Sequence, residues 1–180
     1  MQKIDTIIEL EESENYISAF EEYQKAFSSN QDFELWKHYY FFLWYIVVEG
    51  FAVGLEKFVF DNKIENKLKE VSHFGVKKFK NNPEALFILG YTISLFPYHF
   101  GEYEKLESEA KQMLEKAHNI LPSDIIYKLA YFGSGTEDQE TYNQVCVQAA
   151  SEVIKRFNGK GLFNAYFKEV LYRIKPISNR

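Results

Sequence analysis

An all-α fold is predicted for this 180-residue chain by three observations. Apolar residues recur every three or four positions in nearly every segment, and no stretch alternates with period two for long enough to make a strand. Only four prolines and nine glycines interrupt the chain, too few for the many turns of a β-sandwich. Seventeen Phe and thirteen Tyr supply large side chains to pack between helices. The length predicts one all-helical domain over residues 1–180, large enough to bury a substantial core. Short connections predict antiparallel neighbours, about eight helices arranged as a bundle or a short irregular α-solenoid, with more than half of the residues helical.

Each element follows from its start signal and its stripe. Thr6-x-x-Glu9 is a capping box, whose hydroxyl and carboxylate satisfy orphan amides, and it places a helix start there. The stripe Tyr16, Phe20, Tyr23, Phe27 follows and is broken by Ser28-Ser29-Asn30. Asp32 is a good N-cap for the aromatic helix, which should weaken at Gly50 and Gly54 before a shorter helix running to Phe60. Asp61 or Asn62 can cap the next, with the stripe Ile64, Leu68, Val71, Gly75, Phe79. Asn82 before Pro83 is a cap followed by proline at the first helical position, where its missing N–H costs nothing; that helix ends at Pro97.

Tyr103, Leu106, Ala110, Met113, Ala117 and Ile120 mark a helix stopped before Pro122. Ser123 is placed to cap IIYKLAYF, and Gly133 to end it in a left-handed conformation. Thr136-x-x-Gln139 is a second capping box, opening a helix with Tyr142, Cys146, Ala149, Val153 and Phe157 on one face; Asn158-Gly159 ends it. The last helix is expected over Leu162–Ile174, closed before Pro176.

The run YYFFLWYIVV, residues 39–48, is too short for a bilayer, since a spanning helix needs about 20 mainly apolar residues and charges flank this one. Phe33, Trp36, Tyr40, Leu43 and Val47 make one stripe, while Tyr39, Phe42, Tyr45 and Ile46 lie off it. A helix apolar all round is central in a core or has a second covered face. A core helix that spills onto an interface is the expectation, not a membrane anchor.

The net charge of −5 disfavours nucleic acid, and its distribution is uneven: residues 1–34 carry nine acids and two lysines. Acidic faces would steer a basic partner. The acidic N-terminus lacks a basic-then-apolar export signal, and the single Cys146 cannot make an internal disulfide, so a reducing cytoplasm is the expected compartment.

No chemistry is announced. Among His38, His73, His99 and His118 there is no HExxH and no pair at metal-ligand spacing with a cysteine, so neither metal nor cofactor is expected. FGSGT at 132–136 lacks the spacing of a nucleophile elbow, and GKG at 159–161 lacks the cradle of a phosphate loop. Lys77-Lys78-Phe79-Lys80 mixes basic and aromatic residues, but Phe79 falls on a core stripe. Cys146 reads as a core residue, and His99 in FPYHFGEYE as part of aromatic loop packing. No catalytic residue is assigned, and the chain is not expected to be an enzyme.

Two resemblances add to this. Ala110, Leu114, Ala117 and Pro122, with Leu86 and Leu89-Gly90 upstream, resemble the tetratricopeptide repeat in spacing, as do Ala19, Tyr23 and Ala26. Gly75 departs from the pattern, and the stretch between Gly90 and Ala110 is about eight residues longer than the repeat allows. That insertion, YHFGEYEKLE, makes Tyr98, Glu102, Tyr103, Glu104 and Glu107 candidate contacts to a basic partner, with Asp138 and Glu140 as a second patch. The stretch FNGKGLFNAYFKEVLYR, with FELWKHYYFFLWYI, resembles the small acidic all-helical immunity proteins of bacterial toxin systems, including contact-dependent growth inhibition. The resemblance implies a cytoplasmic protein that binds a cognate toxin domain, expected to be a nuclease, and blocks it. A repeat-type adaptor or regulator recognising a peptide, and an enzyme using His99 with tyrosines and acids, remain the alternatives.

Overall fold

The computed structural model describes residues 2–173. It is all-α: 79 % of the described residues are helical, and no strand occurs among them. Ten α-helices are present there, α1 (Gln2–Glu12), α2 (Tyr16–Ser29), α3 (Phe33–Glu49), α4 (Glu56–Asp61), α5 (Ile64–Lys78), α6 (Pro83–Leu95), α7 (Tyr103–Ile120), α8 (Ile125–Tyr131), α9 (Gln139–Arg156) and α10 (Leu162–Leu171). The excess over eight begins at the N-terminus. Glu14, at φ 56, breaks the path between α1 and α2, and the Asn15 side chain accepts from Ser18 N–H to start α2. The first helix also starts at Gln2, ahead of the Thr6 box.

Caps decide the other boundaries. Asp32 accepts from Leu35 N–H at 2.9 Å and Asn82 from Ala85 N–H at 3.0 Å, as their types and positions predict. Neither Asp61 nor Asn62 starts α5: Asp61 pairs with Lys57 and the Asn62 amide donates to the Phe58 carbonyl, so both serve α4. The chain turns at Lys63 instead, with φ 52. Asp124, not Ser123, caps α8, accepting from Ile126 and Tyr127 N–H. Residues 132–136 form a π-turn whose left-handed residue is Gly135 (φ 82), not Gly133. Asp138 rather than Thr136 caps α9. The last helix ends at Leu171; Ile174 and Pro176 lie outside the described residues.

The helices gather into two compact units. The first comprises residues up to Phe79 with Lys160–Phe163, and the second comprises Lys80–Gly159 with residues from Asn164 onward.

In the first unit α3 is the central helix. Its residues 35–44 and Ile46 are all buried, as a core helix predicts, and Tyr45, Val47 and Val48 are half-buried. It runs antiparallel to α2, with Tyr16 against Phe42 and Tyr23 stacked on Tyr39 at 5.3 Å. It also runs antiparallel to α5, where the Trp36 indole donates to the Val71 carbonyl at 3.0 Å and Lys78 at the far end donates to the Gln31 carbonyl. Trp36 fits only because position 75 has no side chain: a Cβ there would stand 2.1 Å from the indole ring. A glycine that the repeat pattern would fill is the socket of one of the two buried tryptophans.

In the second unit α6 and α7 pack antiparallel, pinned where Lys116 Nζ meets the Lys80 carbonyl at 2.7 Å and Asn81 Oδ1 at 3.0 Å. Gly90 allows the approach, since a Cβ would lie 2.8 Å from Leu114 and 2.9 Å from the Ala110 carbonyl. Ala110, Leu114 and Ala117 are buried as their spacing predicts. Ala117→Trp should therefore destabilise by about 1–3 kcal/mol through overpacking. A variant melting at the parent's temperature would mean that this helix pair is wrongly placed. Asp124 ties α8 to the end of α9 by an ion pair with Arg156 at 2.7 Å, and Phe167 of α10 packs on Phe87 and Phe157.

Candidate partner-binding surfaces

The insertion between α6 and α7 forms an aromatic and acidic corner on the second unit. Phe96 ends α6, a single 3-10 turn follows over Pro97–His99, and α7 begins at Tyr103. Tyr98 and Tyr103 are 58 % and 57 % exposed, and Leu95 beside them is exposed as well. Glu102 stands at the N-cap position of α7, but its side chain makes no capping hydrogen bond, so its carboxylate faces solvent along with that of Glu104. Glu107 is half-buried and pairs with Lys111 at 3.3 Å, which leaves it less to offer a partner. His99 packs against the Tyr98 ring at 4.4 Å and near Phe96, as aromatic loop packing predicts.

The second predicted patch divides between structure and surface. The Asp138 carboxylate caps α9, accepting from both the N–H and the hydroxyl of Thr141 at 2.9 Å. Those bonds hold its pKa below the usual carboxylate value. Glu140, in the first turn of the same helix, is exposed.

Of the remaining histidines, His38 and His118 serve packing, as does Cys146. His38 is buried, and desolvation, reinforced by the Lys37 charge, pushes its pKa down to about 4, so the ring is neutral at physiological pH. His118 stacks on Tyr131, and His73 is exposed with Nδ1 2.9 Å from the Lys69 carbonyl. Cys146 is buried and its thiol pKa is raised by burial. No group of three or more His, Cys, Asp or Glu that could hold a metal ion occurs among the described residues. No helix there is long and apolar enough to cross a membrane.

Two features of the first unit escaped the sequence. One is a carboxylate clasp at the start of α10. Glu11 Oε1 accepts from the Tyr23 hydroxyl at 2.7 Å and Oε2 from Leu162 N–H at 2.9 Å, while Glu12 accepts from Gly161 N–H at 2.8 Å. The N-terminal amides of α10 thus take carboxylates from the chain itself, the charge a helix start favours. Gly161 is required, at φ 86 and with only 2.7 Å between a would-be Cβ and Glu11. Burial of Glu11 outweighs the hydrogen bonds from Tyr23 and Leu162 and lifts its pKa to about 7.

The other is an open apolar groove of about 560 Å³ between the end of α3, α4 and the start of α5. Ile46, Val47, Val48 and Val59 line it, and Phe51 and Phe60 border it at 82 % and 83 % exposure. α4 contains no buried residue, although half of its six residues are apolar. The available signal was that EKFVFD is too short, between its breakers, to bury both of its phenylalanines.

Compared with protein-family models, with curated proteins and with solved structures, the chain matches none.

Proposed function

We propose that this chain is a protein-binding module, an immunity protein that neutralises a cognate bacterial toxin domain by stoichiometric occupation of its active cleft. The observation that carries the reading is the corner at Leu95–Glu104, where two tyrosines more than half exposed stand beside the free carboxylates of Glu102 and Glu104. Tyrosine is enriched at interfaces because it offers a large rigid apolar face and a polar tip, and acids beside it select a basic partner. A nuclease must itself present a basic cleft to its anionic substrate, so an acidic corner can compete for that cleft. The identification of the partner as a toxin rests on the likeness of FNGKGLFNAYFKEVLYR to immunity proteins.

The test begins with a protein captured from the native host, identified by mass spectrometry and purified as a toxin. Its activity should fall to zero near one equivalent of this chain and return on dissociation. Loss of activity far below one equivalent would mean that the chain destroys its target catalytically. Glu102→Lys, Glu104→Lys and Glu107→Lys together should slow association by about tenfold at low salt and flatten its salt dependence, with the circular dichroism spectrum unchanged. Unaltered association kinetics would remove this corner from the interface.

A further inference from the structure

We infer that the groove between α3, α4 and α5 is a docking site for an amphipathic helix of a protein partner, one that carries a basic and an acidic residue about two turns apart, at the two ends of its apolar stripe. The inference rests on the reading of the chain as a protein-binding module and gives that module a second contact surface. Phe51 and Phe60, both more than four-fifths exposed, stand at the groove's border while the aliphatic residues of α3 and α4 form its wall. Exposed aromatics around an apolar depression are the composition of an interface centre.

The charges choose the occupant. Of the ionisable residues at the groove, Glu65 is paired with Lys69, and on α4 Lys57 is paired with Asp61. Glu56 and Lys63 line the groove and take part in no ion pair among the described residues. Glu56 opens α4, and Lys63 lies two residues beyond its end, where its N–H still bonds the Phe60 carbonyl, so a rise of about 1.5 Å per residue separates their backbones by roughly 10 Å. A helix lying along α4 spans the same distance in seven residues, which puts a cation against Glu56 and an anion against Lys63 with its apolar residues between them. Such a helix fills the depression with aliphatic side chains, covers both phenylalanines, and meets a charge of opposite sign at each end.

Three synthetic 14-residue helical peptides test this on the intact chain. All share one leucine stripe and differ only in the two residues seven apart that flank it: Lys with Glu, Lys with Lys, or Glu with Glu. The mixed peptide should bind tightest, about fivefold over either like-charged peptide at low salt, with the gap closing as salt rises. Glu56→Lys should transfer the preference to the Glu/Glu peptide, and Lys63→Glu to the Lys/Lys peptide. Because a peptide can enter in either direction, this exchange of preference does not depend on its orientation. Phe51→Ser with Phe60→Ser should weaken all three by about 30-fold or more, with an unchanged circular dichroism spectrum.

Failure of every peptide to bind, or binding indifferent to the two phenylalanines, would overturn the proposal. So would sedimentation showing a dimer that the serine pair dissociates, because the groove would then hold a second copy of this chain. If a toxin is neutralised with undiminished potency by the serine variant, the groove proposal falls and the binding-module reading stands. Peptide binding through Phe51 and Phe60 in a chain that neutralises no toxin overturns the immunity reading and leaves the groove in place.

Discussion

Gly75→Ala is expected to destabilise the first unit by about 3 kcal/mol, although alanine is the better helix former. On helix propensity alone the change should stabilise α5 by about 1 kcal/mol, so the sign of the effect reports the packing. The added methyl would stand 2.1 Å from the Trp36 ring, far inside van der Waals contact. The indole has nowhere to go. It is wholly buried, stacked on Tyr40 at 5.4 Å, packed on Phe79 at 5.0 Å and Phe33 at 5.8 Å, and tied to the Val71 carbonyl. Relief requires α5 to move away from α3 or Trp36 to leave its site, and either loses contacts along the whole seam. Urea unfolding followed by tryptophan fluorescence measures the cost, and a midpoint equal to or above the parent's would show that Trp36 does not occupy this socket.

Two buried groups should hide each other in the pH dependence of stability, and single variants should expose them. Glu11 titrates near 4.5 when unfolded and near 7 in the fold. Its contribution to stability is present below the lower value and lost as pH rises through the higher, about 3 kcal/mol in all. His38 runs the other way, near 6.5 unfolded and near 4 folded. The fold holds it neutral, so its contribution is present above 6.5 and lost as pH falls through 4, again about 3 kcal/mol. Between about pH 4.5 and 6.5 the folded chain retains a proton on Glu11 that the unfolded chain has released. Over the same interval the unfolded chain keeps one on His38 that the fold has expelled, so the two slopes cancel.

Glu11→Gln should therefore uncover a stability that rises with pH across this interval, at up to about 1.4 kcal/mol per pH unit, and His38→Gln one that falls. Both substitutions also alter absolute stability. An amide in place of the Glu11 carboxylate has one oxygen and cannot accept through it from both Tyr23 and Leu162, and loss of the His38 ring removes its packing on Phe163. The slopes, taken from denaturant melts at several pH values, are the observable. Profiles of both variants parallel to the parent's would mean that neither group is shifted in the fold.

The helices were legible because their signals are local. The 3.6 period of α3, α5 and α7, the Asp32 and Asn82 caps, and the burial of Trp36, Leu43, Leu89 and Ala117 follow from residues within one or two turns of each other. Boundaries failed where adjacent polar residues compete for one cap. Asp124 prevails over Ser123 with a carboxylate that caps α8 and also reaches Arg156, 32 residues away.

The candidate surfaces divide in the same way. The corner at Tyr98–Glu104 could be found from sequence, because an insertion between two helices has to lie outside the packed seam. The apolar groove could not. Hydrophobicity alone does not say whether Phe51 and Phe60 meet another helix or water, and that depends on how α3, α4 and α5 leave each other room.

Composition and periodicity by themselves determined an all-helical chain, the central place of its aromatic helix and the caps at Asp32 and Asn82, since backbone geometry and nearest neighbours suffice for these. Only the tertiary structure decided that Glu11 lies buried against an amide 151 residues away, that Trp36 sits in the socket of Gly75, and that two phenylalanines remain in solvent. Burial and desolvation depend on which surfaces meet, and residues distant in sequence leave no local trace of that meeting.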